Sequence, residues 1–362
     1  MKDSNLQKRT TLIAELLEKV GKDYKCPPVN IVLVGPPGCG KSSFINSFAA
    51  SIANKCWQEF AYSGRLGTGG TSQTTVRVQS IVAADYGTAP NVKGYSLPTL
   101  IDLTGFENMD EELTAEILRL IFYGKLKNAT NIHSVFSFGN RYGVNALRCR
   151  YAMFYPEIHF KVDRVVFLAS ATGEVVPERL IGCVMKAARP QNDIYKREIP
   201  VFGVLTGIDL VVDESQKEVY KERKRKFMGL LALEGSGHRF LECFNYCDDV
   251  DPTMTRIDKT LPHVDVPILE FMNVVCGRNF VVTNSDESYF DASCSLLKYE
   301  LSRQLLNALS KIPRGTVVLS SFTGTMRRPV SLATPPDHDP ITIISCVASC
   351  LLSCLLLLYF LL

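Results

Sequence analysis

The amino-acid sequence predicts an α/β fold, a mainly parallel sheet with helices on both faces. Three observations predict it. Residues 29–34 form a short, nearly continuous apolar run, the pattern of a strand buried on both faces. A glycine-rich turn, Gly35-Pro36-Pro37-Gly38-Cys39-Gly40-Lys41-Ser42, follows at once and leads into a helical run. Further along, strand-length apolar runs alternate with helical patterns, the signature of βαβ units.

Taken in order, residues 5–20 read as a helix capped by Asp3 or Ser4, with Leu12, Ile13, Leu16, Leu17 and Val20 as one apolar stripe and Gly21 as its stop. Pro27-Pro28 breaks the chain before the first strand. A helix is expected from about 41 to 53. Residues 74–83 alternate and read as a second strand, 97–103 as a third, 163–169 as a fourth, 200–205 as a fifth and 239–246 as a sixth. Helical patterns cover 111–123 and 177–188. The long stretch 110–160 is expected to hold a helix and a mobile loop. Residues 212–225 are charge-rich and read as a solvated helix face, with a basic docking patch as the alternative. The expected organisation is a packed helix over 1–27, a nucleotide-binding domain over 28–276, a helical extension over 277–312, a tether over 313–340 and an apolar tail over 341–362.

The turn at 35–42 matches GxxxxGK[ST] in full. Glycines let the backbone curl so that several N–H groups point at one phosphate, and the following helix adds its positive N-terminal end. Lys41 is placed for the β- and γ-phosphates, and the Ser42 hydroxyl for Mg²⁺. Ser43 extends the same cradle. The third strand ends Asp102-Leu103-Thr104-Gly105, which suits a carboxylate holding the Mg²⁺ shell and a glycine N–H at the γ-phosphate. A threonine ahead of the second strand should close on Mg²⁺; Thr74 is favoured, with Thr75 and Thr71 as rivals. The expected metal set is therefore Ser42, Thr74 and Asp102.

The fifth strand ends Thr206-Gly207-Ile208-Asp209. GTPases carry [NT]KxD here, where the carboxylate accepts from the ring N–H and amino group of guanine. Thr206 and Asp209 fit that pattern. The lysine, whose stem normally covers the base, is Gly207. Asn245, in Phe244-Asn245-Tyr246, suits the loop at guanine O6, with Thr283-Asn284-Ser285 as a rival. The position after Gly105, where many small GTPases orient water with glutamine, is Phe106, so slow intrinsic hydrolysis is expected.

The order GPPGCGKSSF, GGTSQTTV, LIDLTGFE, VDRVVFLA, VLTGID and FNY resembles the interferon-induced protein 44 family, dynamin-like and septin-like relatives with a P-loop GTPase G domain. The similarity runs from about residue 12 to 276. It includes an Asn-Tyr pair followed by a helix beginning near Asp265. The resemblance implies GTP and Mg²⁺ as ligands and a role in innate immune or antiviral responses. The leading expectation is a GTP switch. The alternatives are a scaffold that holds nucleotide without a hydrolysis cycle, and an ATPase.

The 362 residues are 46% apolar and 21% charged, which excludes a disordered chain. A net charge of +3 is too mild for a nucleic-acid binder. The cysteines, 12 in all, show no CxxC pair and read as reduced thiols. The N-terminus has no apolar signal core. Residues 341–362 carry no charge and would span roughly 33 Å as a helix. They are expected to anchor the chain on the cytosolic face of a membrane, the endoplasmic reticulum being preferred. Small residues repeat at four, Ser345, Ser349 and Ser353 beside Cys346, Cys350 and Cys354, which suits close helix approach or palmitoylation. Self-association through the G domain or the tail is a further expectation.

Overall fold

The structure, a computed structural model, describes residues 2–22, 27–53, 57–61, 77–103, 105–106, 111–152, 161–173, 175–189, 198–246, 256–257, 261–280 and 282. Within them a six-stranded sheet is built from β1 (Asn30–Val34), β3 (Gln79–Ile81), β4 (Thr99–Asp102), β5 (Arg164–Ser170), β6 (Val201–Thr206) and β7 (Phe240–Cys243). Its order is β3-β4-β1-β5-β6-β7. All neighbours run parallel except β3, which pairs antiparallel with β4 at the edge. A separate antiparallel pair joins β2 (Trp57–Gln58) to β8 (Arg256–Ile257). The α/β class with a mainly parallel sheet is therefore the observed one.

Helices cover both faces because the central strands are apolar on both. On one face, α1 (Lys2–Val20), α2 (Lys41–Ile52) and α8 (Pro262–Val275) pack over Ile31, Leu33, Val166, Leu168, Phe202 and Val204. On the other lie α4 (Glu111–Phe122), α6 (Glu178–Ala188) and α7 (Glu214–Leu230). There the Phe167 and Phe227 rings sit 5.9 Å apart. Residues i and i+1 of a strand face opposite sides, so Phe167 and Leu168 serve different layers.

α1 carries the predicted stripe, with Leu12, Ile13, Leu16, Leu17 and Val20 all buried. Gly21, at φ 75°, ends it by donating to the Leu17 carbonyl. The helix starts at Lys2, so Asp3 and Ser4 lie in its first turn rather than capping it. Two further expectations are corrected. The second strand of the sheet, β3, is only three residues long; residues 74–76, where it was expected to begin, lie outside the described residues. Of the stretch 110–160, residues 110 and 153–160 lie outside the described residues, and the described part is mostly helix, more than the single helix expected. It holds α4 and α5 (Ile132–Ala152), which breaks at Gly143 (φ 85°, ψ 165°). Glu116 of α4, buried, receives a bidentate Arg148 from the far half of α5 at 3.1 and 2.8 Å. A short helix, α3 (Ala83–Tyr86), follows β3. α8 begins at Pro262, three residues before the expected start.

α7 is the solvated helix predicted from its charge. Lys217 pairs with Glu214, Lys221 with Glu218, Lys224 with Glu242 and Lys226 with Glu178. Its basic residues are largely spent on neighbours, which argues against a basic docking patch. The five described cysteines, Cys39, Cys149, Cys183, Cys243 and Cys276, are free thiols. Among the described residues no helix is long and apolar enough to cross a membrane. The expected extension beyond 282, the tether and the tail lie outside the described residues.

Candidate functional site

The site forms where the parallel strands end. β1 runs straight into the turn at residues 35–40, and α2 starts at Lys41. Gly40 has φ 82° and Gly38 φ 71°, conformations that L side chains rarely adopt. A Cβ on Gly40 would also lie 3.1 Å from Asn245 Nδ2 and 3.4 Å from Thr206 Oγ1. The turn is thus pinned between α2 and the ends of β6 and β7. Pro36 and Pro37 form its outer limb. Ser43 lies in the first turn of α2, where its carbonyl accepts from Ser47 Oγ at 2.8 Å.

Lys41 is buried, and its ammonium donates to the carbonyls of Gly35 at 3.2 Å and Pro36 at 2.9 Å. Its charge is therefore held at the mouth of the loop. Cys39 is buried beside it, with Sγ 3.8 Å from Lys41 Nζ. Burial raises the Cys39 thiol, and Lys41 opposes that rise. The thiol stays protonated and acts as a packing group.

Ser42 Oγ donates to Asp102 Oδ2 at 2.7 Å. Asp102 ends β4 and is fully buried. A hydroxyl and a carboxylate converge at one point beside the phosphate turn. Hard oxygen donors of this kind fit Mg²⁺, which keeps several waters and takes one or two protein oxygens. Ser42 and Asp102, both predicted for the metal, are brought together. Thr74 lies outside the described residues, as do Thr71 and Thr75.

Gly105 packs against the turn itself. A Cβ there would lie 2.4 Å from both Pro37 Cα and Pro37 N, so only glycine fits. Phe106 N donates to the Gly35 carbonyl at 3.3 Å. The Phe106 side chain is buried and meets Phe136 of α5 edge-on at 6.0 Å. The segment after Asp102 thus touches the phosphate turn with its backbone and α5 with its ring.

At the end of β6, the buried Thr206 hydroxyl donates to the Cys39 carbonyl at 2.9 Å. Sequence reasoning placed Thr206 in the nucleotide-binding set; in the structure its side chain tethers the phosphate turn. Asp209 lies in an exposed 3₁₀ turn, Ile208–Leu210. Cys243, at the end of β7, has its thiol pushed up by burial and further by the Asp209 carboxylate, so the two strand ends are close. Asn245 follows β7 and lies against Gly40. Asp209, Asn245 and the turn therefore share one rim. The rival Thr283-Asn284-Ser285 lies outside the described residues.

A cavity of about 160 Å³ opens on the outer side of the turn, lined by Pro37, Cys39, Ser170, Val176, Arg223 and Phe227 among others. It is smaller than the roughly 300 Å³ at which ligand pockets begin, so it is no site for a whole nucleotide.

Sequence reasoning missed the support behind Asn245. Tyr246 N donates to Ser47 Oγ of α2 at 3.0 Å, and Tyr246 OH donates to Asp265 Oδ1 at 2.6 Å. Asp265 also pairs with Arg9 of α1 at 2.8 Å, with both side chains buried. The only signals were one arginine on an apolar helix and one aspartate near a predicted helix start.

No protein-family model matches the chain, and no curated protein matches it. Solved structures do. A dimerization-deficient mutant of Toc33 from Arabidopsis thaliana is 11% identical, covering 78% of this chain and 96% of its own, with a TM-score of 0.41. Toc33 from the same plant in complex with GDP and Mg²⁺ is 12% identical over 78% of this chain and 96% of its own, at 0.38. Era of Aquifex aeolicus bound to GDP and AlF₄⁻ is 14% identical over 61% of this chain and 53% of its own, at 0.30. The likeness at these scores is distant, and the chemistry of the site rests on its own residues.

Proposed function

We propose that this chain is a guanine-nucleotide-binding protein that takes GTP or GDP with Mg²⁺ at the rim formed by β1, β4, β6 and β7. One observation carries the reading. The full GxxxxGKS turn holds the Lys41 ammonium at the loop carbonyls and brings Ser42 into direct contact with Asp102. Gly35 to Ser43 cradle the phosphates through backbone N–H groups and the N-terminus of α2. Bound Mg²⁺ would neutralise phosphate charge, held by Ser42 and Asp102 and, by the sequence pattern, Thr74. Asp209 accepts from guanine N1–H and the 2-amino group, and Asn245 stands at O6.

Hydrolysis on this reading is slow. The ring of Phe106, packed against Phe136, occupies the position after Gly105 and cannot orient water. A faster rate calls for a group supplied by another protein or a second copy. Phe106 equally favours the second reading, a scaffold that holds nucleotide and does not cycle. Equal affinity for GTP and GDP supports the scaffold, because equal affinities shift no conformation.

Anchoring of the cytosol-facing body through residues 341–362 rests on their uncharged length. The immune role and the kinship with the interferon-induced protein 44 family rest on motif order.

Titration of the full-length chain with GTP, GDP and ATP, each with Mg²⁺, tests the proposal. It requires GTP and GDP to bind far more tightly than ATP, and Asp209→Ala to erase that gap. Equal binding of ATP transfers the site to the ATPase reading.

A further inference from the structure

The position from which a lysine would cover the base is Gly207. Gly207 sits at φ 70°, ψ 34°, in the left-handed region where a side chain is disfavoured. It opens the 3₁₀ turn that carries Asp209, closed by Leu210 N donating to the Gly207 carbonyl at 3.2 Å. In a 3₁₀ turn the side chains of residues i and i+3 eclipse. Leu210 is i+3 to Gly207. A Cβ placed on Gly207 would lie 3.6 Å from Leu210 Cδ1, in ordinary contact. The leucine side chain thus lies in contact with the place from which a lysine stem would start. It remains 53% exposed, immediately after the carboxylate that would read the base.

We infer that Leu210 supplies the apolar wall for one face of the guanine ring, in place of the lysine stem. The inference rests on the guanine-nucleotide reading and adds a residue that the sequence pattern did not single out. Leucine brings four side-chain carbons, as many as the methylenes of a lysine, without the ammonium. A purine has an apolar face and a polar edge. Asp209 engages the edge, and an adjacent exposed apolar side chain buries itself and the ring face together. Because the wall carries no charge and no hydrogen bond, it favours purines through their faces and leaves selection of guanine to Asp209. It also makes no contact with the phosphates.

The test uses the full-length chain with Mg²⁺ and three probes: GDP, inosine diphosphate, which lacks the 2-amino group, and inorganic tripolyphosphate, which lacks a base. Leu210→Ala is expected to weaken GDP and inosine diphosphate by the same factor, about five-fold. Tripolyphosphate is expected to bind unchanged, and Leu210→Met to restore both nucleotides. Asp209→Ala, run alongside, is expected to weaken GDP more than inosine diphosphate. If Leu210→Ala binds GDP as the parent does while Asp209→Ala is weakened, Leu210 is only a surface leucine, and the site reading survives without it. If Leu210→Ala weakens tripolyphosphate equally, the residue acts through the fold, and the inference is overturned. If Asp209→Ala leaves GDP unchanged, the base is not read on this turn, and the inference falls together with the guanine reading.

Discussion

On the proposed reading, Lys41 is the residue on which phosphate binding depends most. Lys41 contributes a charge that the loop carbonyls already hold in place, so little ordering remains when a phosphate binds. Lys41→Ala is expected to weaken GDP by roughly 100-fold, about 2.7 kcal/mol, in a direct titration, with the melting temperature nearly unchanged. Gly105 acts through space. A Cβ on it would overlap the Pro37 backbone, so Gly105→Ala pushes the phosphate turn away from Asp102. It is expected to cost about 1–3 kcal/mol of stability and to weaken nucleotide binding in the same protein. Intact stability with unchanged affinity would show that the contact relaxes freely. Gly35 to Ser42 and Asp102 were legible in the sequence because spacing alone places them. The tether made by Thr206 was not legible. Its hydroxyl meets Cys39, a neighbour 167 positions away that no local pattern links to it.

At the scale of elements, the nucleotide rim is braced from behind by the buried cluster of Arg9, Tyr246 and Asp265, which joins α1, the end of β7 and α8. Burial pushes the Asp265 carboxyl up to about 6, opposed by the Tyr246 hydroxyl, Arg9 and, more weakly, His263. A carboxyl raised in the folded state adds stability that is fully present below its ordinary value near 3.8 and is lost as pH rises through about 6. Arg9→Met removes a group that favours the ionised form. It is expected to cost about 3 kcal/mol at pH 7.5 and less at pH 5, where the orphaned carboxyl takes a proton. Urea unfolding at the two pH values checks this, and an equal loss at both would show that Arg9 contributes packing alone. The stripe of α1 was legible because five apolar residues recur at helical spacing. Its partner was not, since Arg9 and Asp265 lie 256 residues apart. In the 110–160 stretch α4 was legible and α5 was not, because α5 breaks at Gly143, which interrupts the single period a sequence reading looks for.

Over the whole molecule, the sheet order puts the phosphate turn at its centre, with β4 and its Asp102 on one side and β5 and β6 on the other. The parallel class of the sheet was legible because such a sheet buries both faces of its central strands, leaving apolar runs that punctuate the chain; the strand order was not, because it depends on pairings between distant segments. The length of β3 was not legible, because its alternating pattern also covers Arg77 and Val78, which pair with residues 129–131 instead of with β4. The uncharged segment 341–362 leads to a prediction at the same scale. The full-length chain is expected to float with phospholipid vesicles in a density gradient, and a chain shortened by those 22 residues to stay in the dense fraction. The central claim, that this rim reads guanine, is tested most directly by exchanging the chemistry of Asp209. Xanthine presents a carbonyl where guanine presents its 2-amino group, so Asp209→Asn, which offers an amide donor, should prefer xanthosine diphosphate. The account predicts that the parent binds GDP over xanthosine diphosphate and that Asp209→Asn reverses the order. A variant that still prefers GDP would contradict it.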